Sequence, residues 1–364
     1  MNLITALVVS TALALVGCGS QSSRQTSVVQ PPRGTIVFGR ANANGDENLF
    51  TIRADGTGEK ALLPTLVGCC GGVTWSHKGD RLLLAVSAPP PNQKLITTAT
   101  VNADGSGYRV LPLDSSGLNL AGGAWSPDDS RMAFEGWDDG NPALNGLYTA
   151  DAIDGGNRRR LTTIHDIPIS YSPDGSKILF FRSQANSDYG ELLLVGVDGG
   201  QATQVSPAGM TVRFGGHGGI GGWSPNGTQI SFAAFSPSAS DPGRSALFVA
   251  GGDGINPRQI SEWGSYTTGA RWSPTGDWIV FDRVNAAAGA HTFYLVHPDG
   301  SGIKSIPSLA EVCCALWSPD GDRLLFPRGP DRETDLWTVK TDGSQLTQLT
   351  HAPADLPDIA WGAL

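Results

Sequence analysis

One short motif, an aromatic residue followed by Ser-Pro-Asp-Gly, recurs along this chain and constrains its fold more than any other feature. In the clearest copy, ALWSPDGDRLLF at residues 315–326, the motif joins two apolar runs. Proline presets φ at one turn position, aspartate suits the next, and glycine can adopt the left-handed conformation that closes a hairpin. Each copy therefore predicts two antiparallel strands. The copies begin at Trp75, Trp125, Tyr171, Trp223, Trp272 and Trp317, with a truncated one at Trp361.

A second signal, an Asp-Gly turn after a further apolar run, recurs with the same period. Its spacing averages about 48 residues, as expected for four-stranded propeller blades. A short fourth strand follows each turn, as in RRRLTT and LTQLTH. The turns begin at Asp55, Asp104, Asp154, Asp198, Asp253, Asp299 and Asp342.

Counting these strands predicts the architecture. There are seven second strands and seven third strands, but seven first strands only if DIAWG at the C-terminal end is included. Residues 35–38 and 358–361 are then complementary parts of one blade, and their pairing removes the open sheet edges. We expect an all-β, seven-bladed β-propeller of four-stranded blades over residues 34–364.

The N-terminal segment predicts export. Residues 1–17 form an apolar run that is too short for a stable membrane span and ends in small residues. The segment Leu15-Val16-Gly17-Cys18 resembles the lipobox of bacterial lipoproteins, which implies a signal peptide over 1–17 and lipidation of Cys18. Residues 18–33 are then a lipidated cysteine and a flexible tether. In that analogy, Gly19 favours the outer membrane of a diderm cell.

The charge of the chain excludes one class of partner. With 34 acidic and 25 basic residues, the net charge is -9. Such a balance disfavours a broad basic surface for phosphate backbones or anionic membranes. We expect no nucleic-acid partner, and membrane contact only through the N-terminal lipid.

The repeat resembles that of TolB-like, or Trp-Asp-like, β-propellers. Trp-Ser-Pro-Asp-Gly, an apolar strand, Asp-Gly and Leu-Thr recur over nearly all of residues 34–364. TolB itself has a six-bladed propeller and a separate N-terminal domain, so the resemblance extends to the repeat family and not to the TolB role. The same repeat type also occurs in prolyl oligopeptidase-like enzymes and oligogalacturonate lyases, so both binding and catalysis stay open. The chain has neither a Gly-x-Ser-x-Gly elbow nor a Cys-x-x-Cys zinc signature.

Polar residues recur six positions before each motif aromatic, where the chain enters an inner strand. We expect them to surround the mouth of a central channel and to form a binding surface there. His165 and His217, with Asp166 beside the first, could also ligate a divalent metal, as the lyase resemblance suggests. The candidate residues are Cys69, Asn119, His165, Asp166, His217, Tyr266, Glu311 and Asp355.

Two adjacent cysteine pairs, Cys69-Cys70 and Cys313-Cys314, precede motif tryptophans. An exported chain is expected to oxidise them. A bridge between neighbouring residues is strained, because Cα atoms about 3.8 Å apart fall below the usual disulfide range. Cross-blade, vicinal and reduced states stay open.

These observations favour a bacterial cell-envelope lipoprotein whose propeller is a non-catalytic protein-binding or scaffold module with envelope proteins as partners and no cofactor. It would be periplasmic or surface-exposed. One alternative is a metal-assisted polysaccharide lyase that uses a divalent metal. Another is a glycan-binding propeller, although the periodic motif tryptophans indicate blade packing rather than sugar stacking.

Overall fold

The computed structural model describes residues 34–41, 47–63, 72–112, 117–184, 187–214, 220–237, 243–285, 290–306, 314–330, 333–352 and 359–362. These residues form seven antiparallel sheets, so the prediction of a seven-bladed propeller is confirmed. The blades lie in one compact unit that spans Pro32–Leu364. Within the described residues, no helix is long and apolar enough to cross a membrane.

Each blade has an inner, a second, a third and an outer strand. From blade 1 to blade 7, the inner strands are Ile359–Gly362, Thr74–Trp75, Asn119–Trp125, Asp166–Tyr171, Gly221–Trp223, Thr267–Trp272 and Leu316–Trp317. The second strands are Thr35–Ala41, Arg81–Ser87, Arg131–Trp137, Lys177–Ser183, Gln229–Phe235, Ile279–Asn285 and Arg323–Arg328. The third strands are Glu47–Arg53, Ile96–Asn102, Gly146–Asp151, Tyr189–Gly196, Arg244–Gly251, Ala290–Val296 and Asp335–Lys340. The outer strands are Lys60–Ala61, Arg109–Val110, Arg159–Arg160, Thr203–Gln204, Arg258–Gln259, Lys304–Ser305 and Thr347–Gln348.

Blade 1 closes the ring with strands from both ends of the propeller. Its inner strand pairs antiparallel with its second strand, from Thr35 opposite Gly362 to Phe38 opposite Ile359. The predicted closure is therefore confirmed. It matters physically because it gives both strands a hydrogen-bonding neighbour and leaves no open end in the ring.

The motif turns are held by side chains as well as by backbone geometry. In blade 3, the Ser126 hydroxyl donates to Asp128 at 2.7 Å and accepts the Arg131 N–H at 2.9 Å. The hydrogen bond from Ser126 is the largest cause that lowers the pKa of Asp128 to about 2. The same serine and aspartate pattern recurs in blades 4 and 7. The motif residues therefore stabilise the turn between the inner and second strands.

The motif tryptophans join neighbouring blades. Trp272 donates its indole N–H to the Gly222 carbonyl at 3.0 Å, and Trp317 donates to the Arg271 carbonyl at 3.0 Å. Trp75 and Trp125 make the equivalent bonds. In each case the acceptor immediately precedes the motif aromatic of the preceding blade. Clusters of buried apolar side chains fill all seven blade interfaces, so the tryptophans belong to blade packing.

The motif turns also touch one another around the ring. At four junctions, a methyl group added to the motif glycine would lie about 3.5 Å from the motif proline of the preceding blade. The junction between blades 2 and 3 differs, because His77 replaces the proline and Asp129 replaces the glycine. Asp129 adopts the left-handed φ of 61° and its carboxylate accepts the His77 N–H at 2.7 Å and the Lys78 N–H at 3.0 Å. A hydrogen-bonded contact thus replaces the proline–glycine contact.

Three kinds of feature depart from a regular four-stranded blade. Val212–Arg213 and Gly264–Ser265 add a fifth strand to blades 4 and 5 by pairing with their third strands. In blade 4 the register shifts between Pro168 and Ser170, and similar shifts occur in blades 3 and 6. Pro142–Leu144 form a short 3-10 helix in blade 3. The sequence repeat predicted none of these features.

Candidate functional site at the channel mouth

The inner strands begin at one end of the central channel, which we call the mouth, and the motif turns lie at the opposite end. A cavity of about 550 Å³ opens at the mouth beside blades 2, 3 and 4. Its lining includes Val86, Ile96, Ile167 and Phe214, and the carboxylate-bearing Glu135. The cavity is therefore a mainly apolar recess with an acidic group in its lining.

Two glycines of the blade 3 inner strand keep the blades close together beside this cavity. A methyl group on Gly122 would lie 2.8 Å from Thr98 Cγ2, and one on Gly123 would lie 2.9 Å from Pro168 Cγ. Both distances are shorter than normal carbon–carbon contacts. Glycine is thus required where neighbouring blades approach each other near the channel.

Glu135 and His165 form a contact between blades 3 and 4. Glu135 lies on the second strand of blade 3, opposite Ala121, and His165 directly precedes the inner strand of blade 4. The imidazole Nε2 contacts the Glu135 carboxylate, and the ring stacks on Trp137 with centroids 5.9 Å apart. The side chains of His165 and Glu135 are 41% and 20% exposed, so the pair is accessible to solvent.

The environment of His165 favours its protonated form. The hydrogen bond with Glu135 raises the pKa of the imidazole above its ordinary value, against the opposing effect of burial. Nearby carboxylates, including Asp166 and Asp139, raise it further. The imidazole therefore stays protonated to higher pH than that of an isolated histidine.

The neighbouring candidate Asp166 has a different role. Its side chain is completely buried, and its two carboxylate oxygens accept hydrogen bonds from Arg182 at 2.8 and 2.7 Å. Arg182 lies opposite Asp166 on the second strand of blade 4. This bidentate pair satisfies the carboxylate within the blade. Asp166 therefore does not offer a free binding group at the mouth.

Asn119 likewise stabilises backbone. Its amide oxygen accepts the Ile96 N–H at 2.8 Å, and its amide nitrogen donates to the Trp137 carbonyl at 3.2 Å. The first bond reaches from blade 3 to blade 2, and the second stays within blade 3. Asn119 thus connects two blades beside the cavity rather than leaving its amide free.

Tyr266 lies in an aromatic and cationic cluster on the other side of the mouth. Its ring meets Phe235 edge-on at 5.5 Å, and the Arg213 guanidinium lies 5.3 Å from the ring centroid. Arg213 also pairs with Asp188 at 3.3 Å. The Tyr266 hydroxyl is buried and finds no hydrogen-bond partner in the part of the chain described. This cluster gives the mouth a second, more aromatic sector.

The remaining candidates fall mostly outside the described residues. Cys314 takes part in a disulfide and adopts a left-handed φ of 71°. The candidates that lie outside the described residues are Cys18, Cys69, Cys70, His217, Glu311, Cys313 and Asp355.

Of the proposed metal ligands, His165 and Asp166 lie in the described residues and His217 lies outside them, so a metal held by the two histidines stays a prediction. No group of three or more His, Cys, Asp or Glu side chains is arranged there to hold a metal ion. His165 has its Nε2 directed at Glu135, and Asp166 is bound to Arg182. Glu135 and His165 could supply one oxygen and one nitrogen ligand if their mutual contact opened.

Sequence reasoning missed Glu135, although the repeats contain a signal for it. Glu135 follows Phe134 in the second strand, and the equivalent residue is apolar or glycine in blades 1, 2, 4, 5 and 7. In blade 6 it is Asp282, which is buried. Burial lowers the pKa of nearby Arg271 to about 10, while Asp282 acts in the opposite direction. An alignment of second strands would thus have shown both acidic positions.

Comparisons with known proteins match this fold. No protein-family model matches the chain. An oligogalacturonate lyase in complex with manganese is similar in structure, with a TM-score of 0.63 and 14% identity over 84% of this chain and 86% of that one. TolB from Acinetobacter baumannii gives a TM-score of 0.52 and 15% identity over 90% of this chain and 83% of that one. A prolyl endopeptidase structure gives a TM-score of 0.60 and 11% identity over 89% of this chain and 50% of that one.

The structural neighbours are thus TolB-like and oligogalacturonate lyase-like β-propellers. At these identities the similarity shows the fold alone, because one propeller scaffold supports both binding proteins and enzymes.

Proposed function

We propose that this protein is a cell-envelope lipoprotein whose propeller is a non-catalytic protein-binding module, and that the partner docks at the channel mouth. The observation that carries the proposal is the cavity of about 550 Å³, which combines apolar lining residues with the accessible Glu135–His165 pair. Ligand sites typically have this size and this mixture of apolar walls and few polar groups.

A protein partner suits the surroundings of the cavity. Phe214 lines it with 37% of its surface exposed, while its ring stacks on Phe181 at 5.2 Å. Aromatic residues held rigidly by their neighbours are common energetic centres of protein interfaces. The TolB-like neighbour is compatible with such a module, and the proposal for this chain rests on its own mouth.

The lipoprotein part of the proposal rests on the sequence around Cys18. Lipid attachment there would place the propeller on a tether at the membrane surface, with the outer membrane favoured in a diderm cell. Metabolic labelling with an alkyne fatty acid in a bacterial host tests this proposal. Label is expected on the native chain and not on Cys18→Ser, and equal labelling of both would contradict the assignment.

Site-specific photo-crosslinking tests the binding face. A benzoylphenylalanine at Phe214 probes the cavity, and the same probe at Ile153 serves as the matched control. Ile153 is 71% exposed in an Asp-Gly turn at the opposite end of the channel. We expect a recurrent envelope protein to be captured from the Phe214 position alone.

Other outcomes of that experiment would redirect the assignment. Equal capture from both positions would place the interface elsewhere. Attachment of glycan without protein would support the glycan-binding alternative. Cleavage of polygalacturonate by the purified protein, dependent on added manganese and lost in His165→Ala, would support the lyase alternative and overturn the non-catalytic assignment.

A further inference from the structure

We propose that the mouth cavity recognises a lysine or arginine side chain of the partner protein, which binds Glu135 by displacing His165. This inference rests on the proposed function, because it assumes that the mouth is the docking face. It adds the chemistry of the partner and a condition under which the site is available.

The shape and lining of the cavity favour an amphipathic cation. Long basic side chains bury an aliphatic stem while the charged head remains at a polar group. Val86, Ile96 and Ile167 provide apolar walls for the stem, and Glu135 provides an anionic acceptor for the head. Among the described residues that line the cavity, Glu135 is the one with an acidic side chain. Charge complementarity therefore favours a cation over an anionic or neutral occupant.

His165 already demonstrates this complementarity within the chain. Its imidazole contacts the Glu135 carboxylate from the next blade and thus occupies the position of a cationic group. The imidazole comes from the residue before the inner strand and is 41% exposed. Because it is partly solvated and lies outside the strand, it can rotate away without breaking a strand hydrogen bond.

The charged groups around His165 come from two blades. Blade 3 contributes Glu135 and Asp139, and the inner strand of blade 4 contributes Asp166. Arg182 neutralises Asp166 through its two hydrogen bonds. Glu135 is consequently the carboxylate that both retains His165 and is accessible to an incoming cation.

This competition makes binding depend on pH. In the free protein the Glu135 contact raises the pKa of His165, so the paired imidazole stays protonated to higher pH than an isolated histidine. In the complex it loses Glu135 and lies near another cation, which lowers its pKa. Binding therefore releases a proton, and affinity increases with pH by up to roughly tenfold per unit between the two pKa values.

The experiment uses the purified full-length protein and two short peptides, acetylated and amidated. One has lysine between two leucines, and the control has norleucine in place of lysine. Binding is measured by calorimetry between about pH 5.5 and about pH 8.5, while NMR of ¹³Cε1-labelled histidine follows His165. We expect the lysine peptide to bind more tightly as pH rises and to lower the pKa of His165.

Three variants separate the contributions. Glu135→Gln retains the side-chain shape and is expected to weaken the lysine peptide by at least about tenfold. His165→Asn is expected to tighten binding at low pH and to remove the pH dependence. Glu262→Gln changes an exposed glutamate outside the cavity and is the matched control. Circular dichroism and thermal unfolding confirm that each variant is folded.

Three results would overturn the inference. The two peptides could bind equally well, neither could bind at millimolar concentration, or Glu135→Gln could leave the binding of the lysine peptide unchanged. These results are distinguishable from failure of the proposed function. If the probe at Phe214 still captures a partner in Glu135→Gln at every pH, the mouth is a docking face and the recognition of a cation is wrong.

Discussion

The junction between blades 2 and 3 allows a quantitative test of how the motif turns hold the ring together. At four other junctions the motif proline packs against the glycine of the next blade, whereas here the Asp129 carboxylate binds the His77 and Lys78 N–H groups. The perturbation is to introduce the usual residues, first singly as His77→Pro and Asp129→Gly, and then together. If the two departures compensate each other, the double variant should lose less stability than the sum of the losses in the two single variants.

The expected magnitudes follow from the two hydrogen bonds and the backbone conformation. Hydrogen bonds to a charged group contribute about 1.5 kcal/mol each at the lower end of their range, so losing both costs about 3 kcal/mol. Asp129→Gly recovers about 1 kcal/mol because glycine adopts the φ of 61° without strain. It should therefore destabilise the protein by about 2 kcal/mol. His77→Pro loses the backbone N–H bond and also the imidazole contact with Asp129 at 3.2 Å, which adds little because the His77 side chain is 55% exposed. The proline restricts the unfolded chain, so the net cost is about 1 kcal/mol.

Equilibrium unfolding in urea, followed by tryptophan fluorescence, measures the four free energies. The simple sum of the single variants is a loss of about 3 kcal/mol, but the bond from the His77 N–H to Asp129 is lost in both and counts only once. The double variant should therefore lose about 1.5 kcal/mol without a new contact, and no more than about 1 kcal/mol if the proline–glycine contact is restored. Gly227→Asp, at φ 72° opposite Pro173, is the matched control, because Pro173 has no N–H for the new carboxylate. Additivity within about 0.5 kcal/mol would refute the reasoning.

Three further outcomes are expected. Tyr171→Trp should raise the thermal midpoint, with a gain of about 1 kcal/mol in stability. The Tyr171 hydroxyl is buried without a partner among the described residues, whereas the indole N–H of a tryptophan there can reach the Ala124 carbonyl. A lower midpoint would contradict this expectation. The Glu135 hydrogen bond raises the pKa of His165. Glu135→Gln should therefore destabilise the protein most below about pH 6.5, and this destabilisation should shrink as pH rises through the pKa of His165 in the folded protein. Urea midpoints at several pH values test this sign, and a loss that grows with pH would reverse it. Hydrogen bonds lower the pKa of Asp174 from 3.8 to about 2. As pH falls across that interval, the native chain should lose the stability that the Asp174 carboxylate provides, and Asp174→Asn should lose less. Parallel acid-unfolding curves for the two proteins would contradict this expectation.

The sequence determined the number of blades, their strand order and the closure of the ring. It could do so because the repeated turn is a local structure: serine, proline, aspartate and glycine each act on backbone within a few residues. Ser126 and Asp128 illustrate this, since both bind groups inside their own turn. Seven repetitions with one incomplete blade then left a single arrangement that pairs the two terminal strands.

The site was only partly predictable, because its polar contacts cross from strand to strand and blade to blade. Counting back from the motif aromatics located His165, but its partner Glu135 lies 30 residues earlier on another blade. The same counting could not distinguish buried Asp166 from accessible His165, although the two are adjacent.

The tertiary structure decided these roles through the packing of blade 4 against blade 3. Alternation along the inner strand directs Asp166 toward Arg182, while His165 precedes the strand and reaches Glu135. A one-residue change in register exchanges the two faces of a strand. The repeat therefore specifies where a blade begins, whereas the packing of neighbouring blades specifies which polar side chains remain accessible at the mouth.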